Sequence, residues 1–122
     1  MFKISVTTKF AAAHKLRGYG GPCENLHGHN WLIKATVGTD RLDDIGMAYD
    51  FKKLKSHLNE IIERLDHQFL NEVKPFDEIN PTSENVAKYI FEALVKKLPM
   101  GIDVIAIDVG ESDQYVSSYE TS

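Results

Sequence analysis

The stretch HGHNWLIKATVGT, residues 27–39, alternates apolar side chains with polar or small ones. Successive side chains of a β-strand point to opposite faces of a sheet, so this alternation predicts a strand from His29 to Thr39. Its apolar face carries Trp31, and the same parity includes His27 and His29. Two imidazoles two residues apart therefore lie on one side of the chain, an arrangement that suits metal binding.

The residues before this stretch predict a partner strand that ends in a third histidine. From Lys3 to His14 apolar residues again fall on alternate positions, and His14 shares the parity of Ala12. A glycine-rich loop joins the two strands, so His14 can lie beside His27 and His29. Three imidazoles with an open fourth position suit a catalytic zinc ion. The alternative is that His14 only caps the sheet edge through a hydrogen bond.

Two amphipathic helices are predicted in the middle of the chain. Asp50 is a predicted N-cap for a helix that begins at Phe51 and ends near Asp66-His67. The sequence Pro81-Thr82-Ser83-Glu84-Asn85 is typical of a second helix start, and Pro99 lies where that helix ends. Both helices carry an apolar stripe, so each is expected to cover a sheet.

Two further strands complete the predicted order β-β-α-α-β-β. The segment from Ile102 to Val109 is apolar at nearly every position, which is typical of a strand buried on both faces. Two helices cover only one face of a small sheet, so the other face is expected to meet another subunit. Gln114 to Tyr119 is predicted to return as a short edge strand. Strands and helices that do not alternate indicate an α+β fold with an antiparallel sheet.

Length and composition favour one soluble domain spanning residues 1–122. The net charge is −4, which argues against a general nucleic-acid-binding protein. The chain has one cysteine, so no intramolecular disulfide can form, which fits a reducing cytoplasm. No apolar run approaches the length of roughly 20 residues that a membrane span needs. We therefore expect a cytoplasmic protein that binds neither nucleic acid nor membrane.

The single thiol, Cys23, lies four residues before His27 in a Gly/Pro-containing loop. An isolated cysteine is most often a small buried hydrophobic residue. Here a nearby metal and an imidazolium would lower its pKa, which makes a thiolate base feasible. The alternative is that Cys23 is a fourth zinc ligand and closes the site.

Two further groups are candidates for proton transfer and ligand binding. Asp66 can orient His67 for proton relay, although a histidine after a helix also commonly caps that helix. Glu111 follows the last apolar strand, where a carboxylate can accept two hydrogen bonds from an amino-amidine edge such as that of a pterin, or can be an ordinary rim acid. Glu84 is interpreted as a first-turn acid, and His57 is given no role.

These residues together resemble the 6-pyruvoyltetrahydropterin synthase / 6-carboxytetrahydropterin synthase family. The shared elements are FAAAH (residues 10–14), CxxxHGH (23–29), LDHxxLN (65–71), PTSEN (81–85) and the carboxylate Glu111. The resemblance runs from about residue 3 to residue 117, in the order found in the family.

The resemblance implies a T-fold, in which a four-stranded antiparallel sheet carries two helices on one face. Three subunits would form a barrel, and two such trimers would form a homohexamer with active sites between subunits. It also implies one zinc ion per subunit, held by His14, His27 and His29. The substrate of the family is 7,8-dihydroneopterin triphosphate.

The resemblance further assigns roles to individual residues. Cys23 would remove a carbon-bound proton, while Asp66 and His67 would handle the counter-proton. The residues expected to hold the substrate are Glu111, Thr82 and Ser83 for the pterin, with Lys15 and Arg17 for the triphosphate.

The spacing Cys-x-x-x-His-Gly-His resembles the queuosine-pathway branch, which makes 6-carboxy-5,6,7,8-tetrahydropterin and releases acetaldehyde and triphosphate. Glu24 complicates this assignment, because Cys-Glu-x-x-His-Gly-His resembles a subtype that also performs retro-aldol cleavage to 6-hydroxymethyl-dihydropterin, a folate precursor. An exposed loop acid is the equally simple interpretation of Glu24. Synthesis of 6-pyruvoyltetrahydropterin, or a non-catalytic zinc- or pterin-binding module, are the remaining alternatives.

Overall fold

In this computed structural model, which describes residues 1–18 and 25–121, five strands form one sheet with two α-helices packed on it. The strands follow the order β3-β1-β2-β4-β5 across the sheet. The elements are β1 (Phe2–His14), β2 (His27–Thr39), α1 (Phe51–Glu63), β3 (Gln68–Phe69), a 3₁₀ turn (Leu70–Glu72), α2 (Ser83–Val95), β4 (Asp103–Gly110) and β5 (Val116–Glu120).

The long pair of β1 and β2 forms the centre of the sheet. The two strands are antiparallel over their full length, from Phe2 opposite Thr39 to His14 opposite His27. The apolar parity of each strand joins the helices in one buried core, in which Trp31 is fully buried. The predicted pairing follows from alternation, because a slip by one residue would expose this whole face.

Both helices begin where the sequence predicts. The Asp50 side chain accepts a hydrogen bond from the backbone N–H of Lys52, and the Thr82 side chain accepts one from Asn85, so each caps its helix. The buried residues follow helical spacing and are Leu54, Leu58, Ile61 and Ile62 in α1 and Val86, Ala87, Ile90 and Leu94 in α2. Neither helix is long and apolar enough to cross a membrane, nor is any other helix in the described part of the chain.

The prediction of a four-stranded antiparallel sheet is wrong in one respect. A fifth strand, β3, pairs in parallel with Ala12 and Ala13 of β1. The chain turns at His67, whose φ of 60° lies in the left-handed region, and the His67 N–H donates to the Ala11 carbonyl at 2.6 Å. A two-residue strand has too few side chains to produce an alternation, so the sequence pattern could not reveal it.

The face of the sheet opposite the helices is more polar than the sequence suggested. Thr7, Lys34, Asp108 and Ser118 lie side by side across four strands on this face. β4 is largely buried, as predicted, but a bulge opposite Thr36 and Val37 interrupts its alternation. Continuous apolar character in β4 therefore does not translate into a continuous apolar second face.

Candidate functional site

Three imidazoles meet where β1 ends and β2 begins. Antiparallel pairing places His14 directly opposite His27 and places Ala12 opposite His29, so the three rings share the helix-covered side of the sheet. One potential ligand nitrogen from each ring lies within 4.8 Å of the other two. The ring centroids are 4.5 to 5.2 Å apart. The three histidines can therefore hold one metal ion, which is the arrangement that the parity of the two strands predicts.

Backbone carbonyls fix the orientation of two of these rings. His14 Nδ1 donates to the carbonyl oxygen of Pro81 at 2.7 Å, and His27 Nδ1 donates to that of Asn25 at 2.7 Å. A ring that donates from Nδ1 keeps a lone pair on Nε2, which is the usual state of a histidine bound to a metal. Neither carbonyl partner was predicted, because carbonyl positions leave no signature in the side-chain sequence.

Two of the three Nε2 atoms are buried without a hydrogen-bond partner among the described residues. These are His14 Nε2 and His29 Nε2. Most buried polar atoms in proteins have a partner, so an unpaired nitrogen on two adjacent rings calls for a specific explanation. A cation that accepts both lone pairs provides it, and the donor set of three neutral imidazoles suits zinc.

Burial keeps two of these imidazoles neutral near pH 7. Loss of solvent lowers the pKa of His14 below 6.5, and the neighbouring rings lower it further, while the Pro81 carbonyl and Glu111 oppose the shift. The pKa of His29 is also lowered by burial, against the opposing charge of Glu111. A neutral imidazole is the form that binds a metal, so little proton competition is expected at neutral pH.

Glu111 lies at the mouth of the histidine cluster. Its two carboxylate oxygens are 3.8 Å from His14 Nε2 and 3.6 Å from His29 Nε2, beyond hydrogen-bond length, and its side chain is 29% exposed. An open cleft of about 530 Å³ lies beside it and is lined by Gly28, His29 and Asn30. The parity argument thus placed Glu111 on the same side as the metal candidates, facing a space that a small molecule can enter.

The Asp66-His67 pair lies at the edge of the sheet. Asp66 Oδ1 accepts hydrogen bonds from the Ala11 backbone N–H at 3.0 Å and is 3.0 Å from His67 Nδ1. The His67 side chain is 80% exposed. The described contacts of the pair are with each other and with β1, and none joins them to the three-histidine cluster. The left-handed φ at His67 costs about 1–3 kcal/mol, and the bonds to Ala11 offset it.

The start of α2 is tied to both the cluster and β5. Thr82 uses its side chain to cap the helix, while Ser83 Oγ hydrogen-bonds Ser117 Oγ at 2.8 Å and donates to Glu84 at 3.0 Å. Glu84 is an acid of the first helical turn, as interpreted. Pro81 directly precedes this cap and holds His14, so the helix start is positioned by a group in the site.

The remaining predicted residues are dispersed. Lys15 and Arg17 are exposed, and one guanidinium nitrogen of Arg17 donates to the Phe76 carbonyl at 3.0 Å. His57 hydrogen-bonds the Tyr49 hydroxyl at 2.9 Å, which accounts for it without a role in the site. Cys23 and Glu24 lie outside the described residues.

Fold and site together define an α+β protein whose three-histidine site is built on two antiparallel strands. The family model described as 6-pyruvoyl tetrahydropterin synthase matches residues 3–122. A relative from Synechocystis, named 6-carboxy-5,6,7,8-tetrahydropterin synthase, is 40% identical over 99 residues, covering 77% of this chain and 75% of its own. A Pyrococcus furiosus relative named dihydroneopterin monophosphate aldolase is 30% identical over 113 residues, covering 93% and 92%.

A solved structure of Caenorhabditis elegans 6-pyruvoyl tetrahydropterin synthase superimposes with a TM-score of 0.87 at 30% identity, over 99% of this chain and 96% of that one. The chain belongs to the 6-pyruvoyl tetrahydropterin synthase family. The predicted family, the α+β T-fold and the expectation of a lyase-type enzyme are thereby confirmed.

Proposed function

We propose that this protein is a zinc-dependent enzyme that converts 7,8-dihydroneopterin triphosphate to 6-carboxy-5,6,7,8-tetrahydropterin, with release of acetaldehyde and triphosphate. The observation that carries the proposal is the pair of buried, unpaired Nε2 atoms on His14 and His29, next to the Glu111 carboxylate. The name of the Synechocystis relative favours the carboxy product. This product belongs to queuosine biosynthesis, and a cytoplasmic location is part of the proposal.

In this proposal His14, His27 and His29 hold one zinc ion per subunit. When bound, zinc supplies Lewis-acid chemistry that makes hydroxyl and adjacent carbon protons of a ligand more acidic. His14 and His27 are suited to this role because their Nδ1 atoms are already committed to carbonyls, which directs Nε2 into the cluster.

Each remaining residue of the proposed site has a separate task. Cys23 acts as thiolate base and removes a carbon-bound proton of the substrate side chain. His67 transfers the counter-proton, with Asp66 holding Nδ1 of that ring. Glu111 accepts hydrogen bonds from the pterin amino group and ring N–H, aided by groups near Thr82 and Ser83. Lys15 and Arg17 are proposed contacts for the triphosphate.

The position of Asp66 and His67 favours sites that are shared between subunits. The pair lies at the sheet edge and makes no described contact with the histidine cluster of its own chain. Beyond the short strand β3, the outer edge of β1 is available for pairing with another chain. A homohexamer built as two barrel-forming trimers would place the pair of one subunit beside the cluster of the next.

The test is to incubate zinc-loaded protein with 7,8-dihydroneopterin triphosphate and to identify the products by mass spectrometry. Wild-type protein is expected to form 6-carboxytetrahydropterin and acetaldehyde in equal amounts. Absence of any pterin turnover with zinc bound would sink the proposal. Zinc X-ray absorption that then revealed sulfur coordination would favour a closed, non-catalytic module.

Replacing Cys23 with alanine is expected to leave one zinc ion per chain and to lower turnover by about 100-fold or more, because general base catalysis typically contributes 10²–10⁴-fold. Zinc content and product formation are measured on the same preparation. His57→Ala is the control and should retain both properties, since His57 contacts only Tyr49 among the interactions described for its ring. Full carboxypterin synthesis by Cys23→Ala would remove the thiolate mechanism.

A second candidate function is retro-aldol cleavage to 6-hydroxymethyl-dihydropterin. The Pyrococcus relative named as an aldolase supports it, as does the Glu24 that directly follows Cys23. If both activities are present, Glu24→Ala should abolish the hydroxymethyl product while sparing the carboxy product. The ratio of the two products by mass spectrometry measures this, with Glu84→Ala as a matched acid-to-alanine control. An unchanged ratio would make Glu24 an ordinary loop acid.

A further inference from the structure

Alternate residues at the end of β1 present their backbone groups to one edge of the strand. Ala11 uses this edge to donate to Asp66 Oδ1 and to accept from the His67 N–H. Four residues later the chain passes His14 and no longer has a neighbouring strand on this side. A strand edge without a partner would leave its N–H and C=O groups to solvent.

Two asparagine side chains take the place of the missing strand. The Lys15 N–H donates to Asn71 Oδ1, and Asn71 Nδ2 donates to the Lys15 carbonyl, both at 3.0 Å. The Arg17 N–H donates to Asn80 Oδ1, and Asn80 Nδ2 donates to the Arg17 carbonyl, both at 2.8 Å. An asparagine amide carries one acceptor and two donors, so it can pair with both backbone groups of one residue.

The second asparagine is itself held by the start of α2. Its backbone carbonyl accepts from Asn85 Nδ2 at 2.9 Å and from the Thr82 N–H at 2.9 Å. The next residue, Pro81, holds His14 Nδ1. One connection, residues 71–81, therefore fixes both the imidazole of His14 and the backbone that immediately follows it.

We propose that Asn71 and Asn80 are positioning residues for the reaction, which clamp Lys15 and Arg17 and so set the direction in which the chain leaves the histidine cluster toward Cys23. This inference rests on the proposed function. Cys23 is only six residues beyond Arg17, so the anchoring of Arg17 limits the positions that the thiol can sample. Neither asparagine contacts the cluster, and their effect on turnover acts through the clamped backbone.

The variants Asn71→Asp and Asn80→Asp test the clamp with almost no change in side-chain size. Aspartate still accepts from the backbone N–H, but as a carboxylate it cannot donate to the carbonyl, so each clamp loses one bond and gains a repulsive contact. Asn59→Asp is the matched control. Asn59 is an exposed residue of α1 whose amide oxygen accepts one hydrogen bond from Thr8.

Three quantities are measured for each variant: zinc content, kcat and KM, and the rate at which iodoacetamide alkylates Cys23. We expect zinc content at the wild-type value, kcat lower by about 10-fold or more, and KM within about 3-fold, because misplacing a reacting group costs rate more than binding. The Cys23 alkylation rate is expected to change at least several-fold in both clamp variants. Asn59→Asp should match wild type in all three.

Loss of zinc in the clamp variants in step with activity would overturn the proposal, because it would indicate a general structural defect. Unchanged kcat and an unchanged alkylation rate would overturn it too. If wild-type protein turns over no pterin, the proposed function fails. The clamp is then decided by alkylation alone, where a change in both variants supports it and wild-type rates refute it.

Discussion

Replacing His14 with glutamine is expected to abolish zinc binding and pterin turnover together. His14 is fully buried, and its Nε2 is one of the two nitrogens without a partner in the cluster. Removal of a group that only orients a ligand already weakens metal binding by about 10–100-fold, so loss of a ligand itself should exceed about 100-fold. Glutamine preserves most of the volume of the ring, so this effect is not a consequence of an unfilled core.

Zinc content after gel filtration and turnover at saturating substrate measure this result. His57→Gln is the control, because it makes the same substitution on a histidine that contacts Tyr49 and lies outside the cluster. Full zinc content in His14→Gln would contradict the proposed ligand set. Retained zinc with lost turnover would instead assign His14 a role in the reaction and leave the metal to other groups.

The main elements of the fold were predictable because each follows a period that spans many residues. Alternation over β1 and β2 identified the two strands that meet at the cluster, and helical spacing with Asp50 and Thr82 as caps identified both helices. The histidine cluster followed from parity alone, since antiparallel strands that keep their apolar faces together must bring His14 opposite His27.

The features that escaped prediction depend on single backbone contacts. Strand β3 forms because the chain turns at His67 and Asp66 accepts from Ala11, and neither event changes a periodic pattern. The bulge opposite Thr36 likewise adds a residue without altering composition. The carbonyls of Pro81 and Asn25 that orient the imidazoles are backbone atoms, present at every position of any sequence.

Asparagine clamps occupy an intermediate position. Asn71 and Asn80 flank a polar connection with no regular period, where asparagine is common in any loop. Their amides were therefore indistinguishable from ordinary loop residues until the distances to Lys15 and Arg17 were known. Sequence patterns thus identify groups that act through side-chain parity, whereas groups that act on a backbone edge become visible only in three dimensions.

Trp31 connects the stability of the fold to the geometry of the cluster. Its ring is fully buried, stacks on Phe10 with centroids 5.8 Å apart, and meets the edge of His14 at 4.8 Å and that of His29 at 5.7 Å. The indole N–H donates to the Ala12 carbonyl at 3.2 Å. One side chain therefore forms the floor beneath two of the proposed metal ligands.

Replacing Trp31 with alanine is expected to lower the free energy of unfolding by about 3–5 kcal/mol, because it removes a large buried ring and leaves a cavity. That is a large share of the roughly 5–15 kcal/mol that stabilises a typical domain. Urea unfolding of metal-free protein at one fixed chain concentration measures it. Leu32→Ala is the control on the adjacent residue, since Leu32 is 38% exposed and points to the opposite face, and its cost should stay within about 1 kcal/mol.

Trp31→Phe separates the packing of Trp31 from its effect on the cluster. Phenylalanine keeps an aromatic floor but lacks the donor to Ala12, so we expect a loss of about 1–2 kcal/mol in metal-free protein. Excess zinc should then stabilise Trp31→Phe nearly as much as wild type, because a ligand that binds only the folded state adds stability according to its affinity. Trp31→Ala should gain less from zinc, since His14 and His29 lose the surface that holds their rings. Equal stabilisation of all three proteins by zinc would mean that the cluster keeps its geometry without this floor.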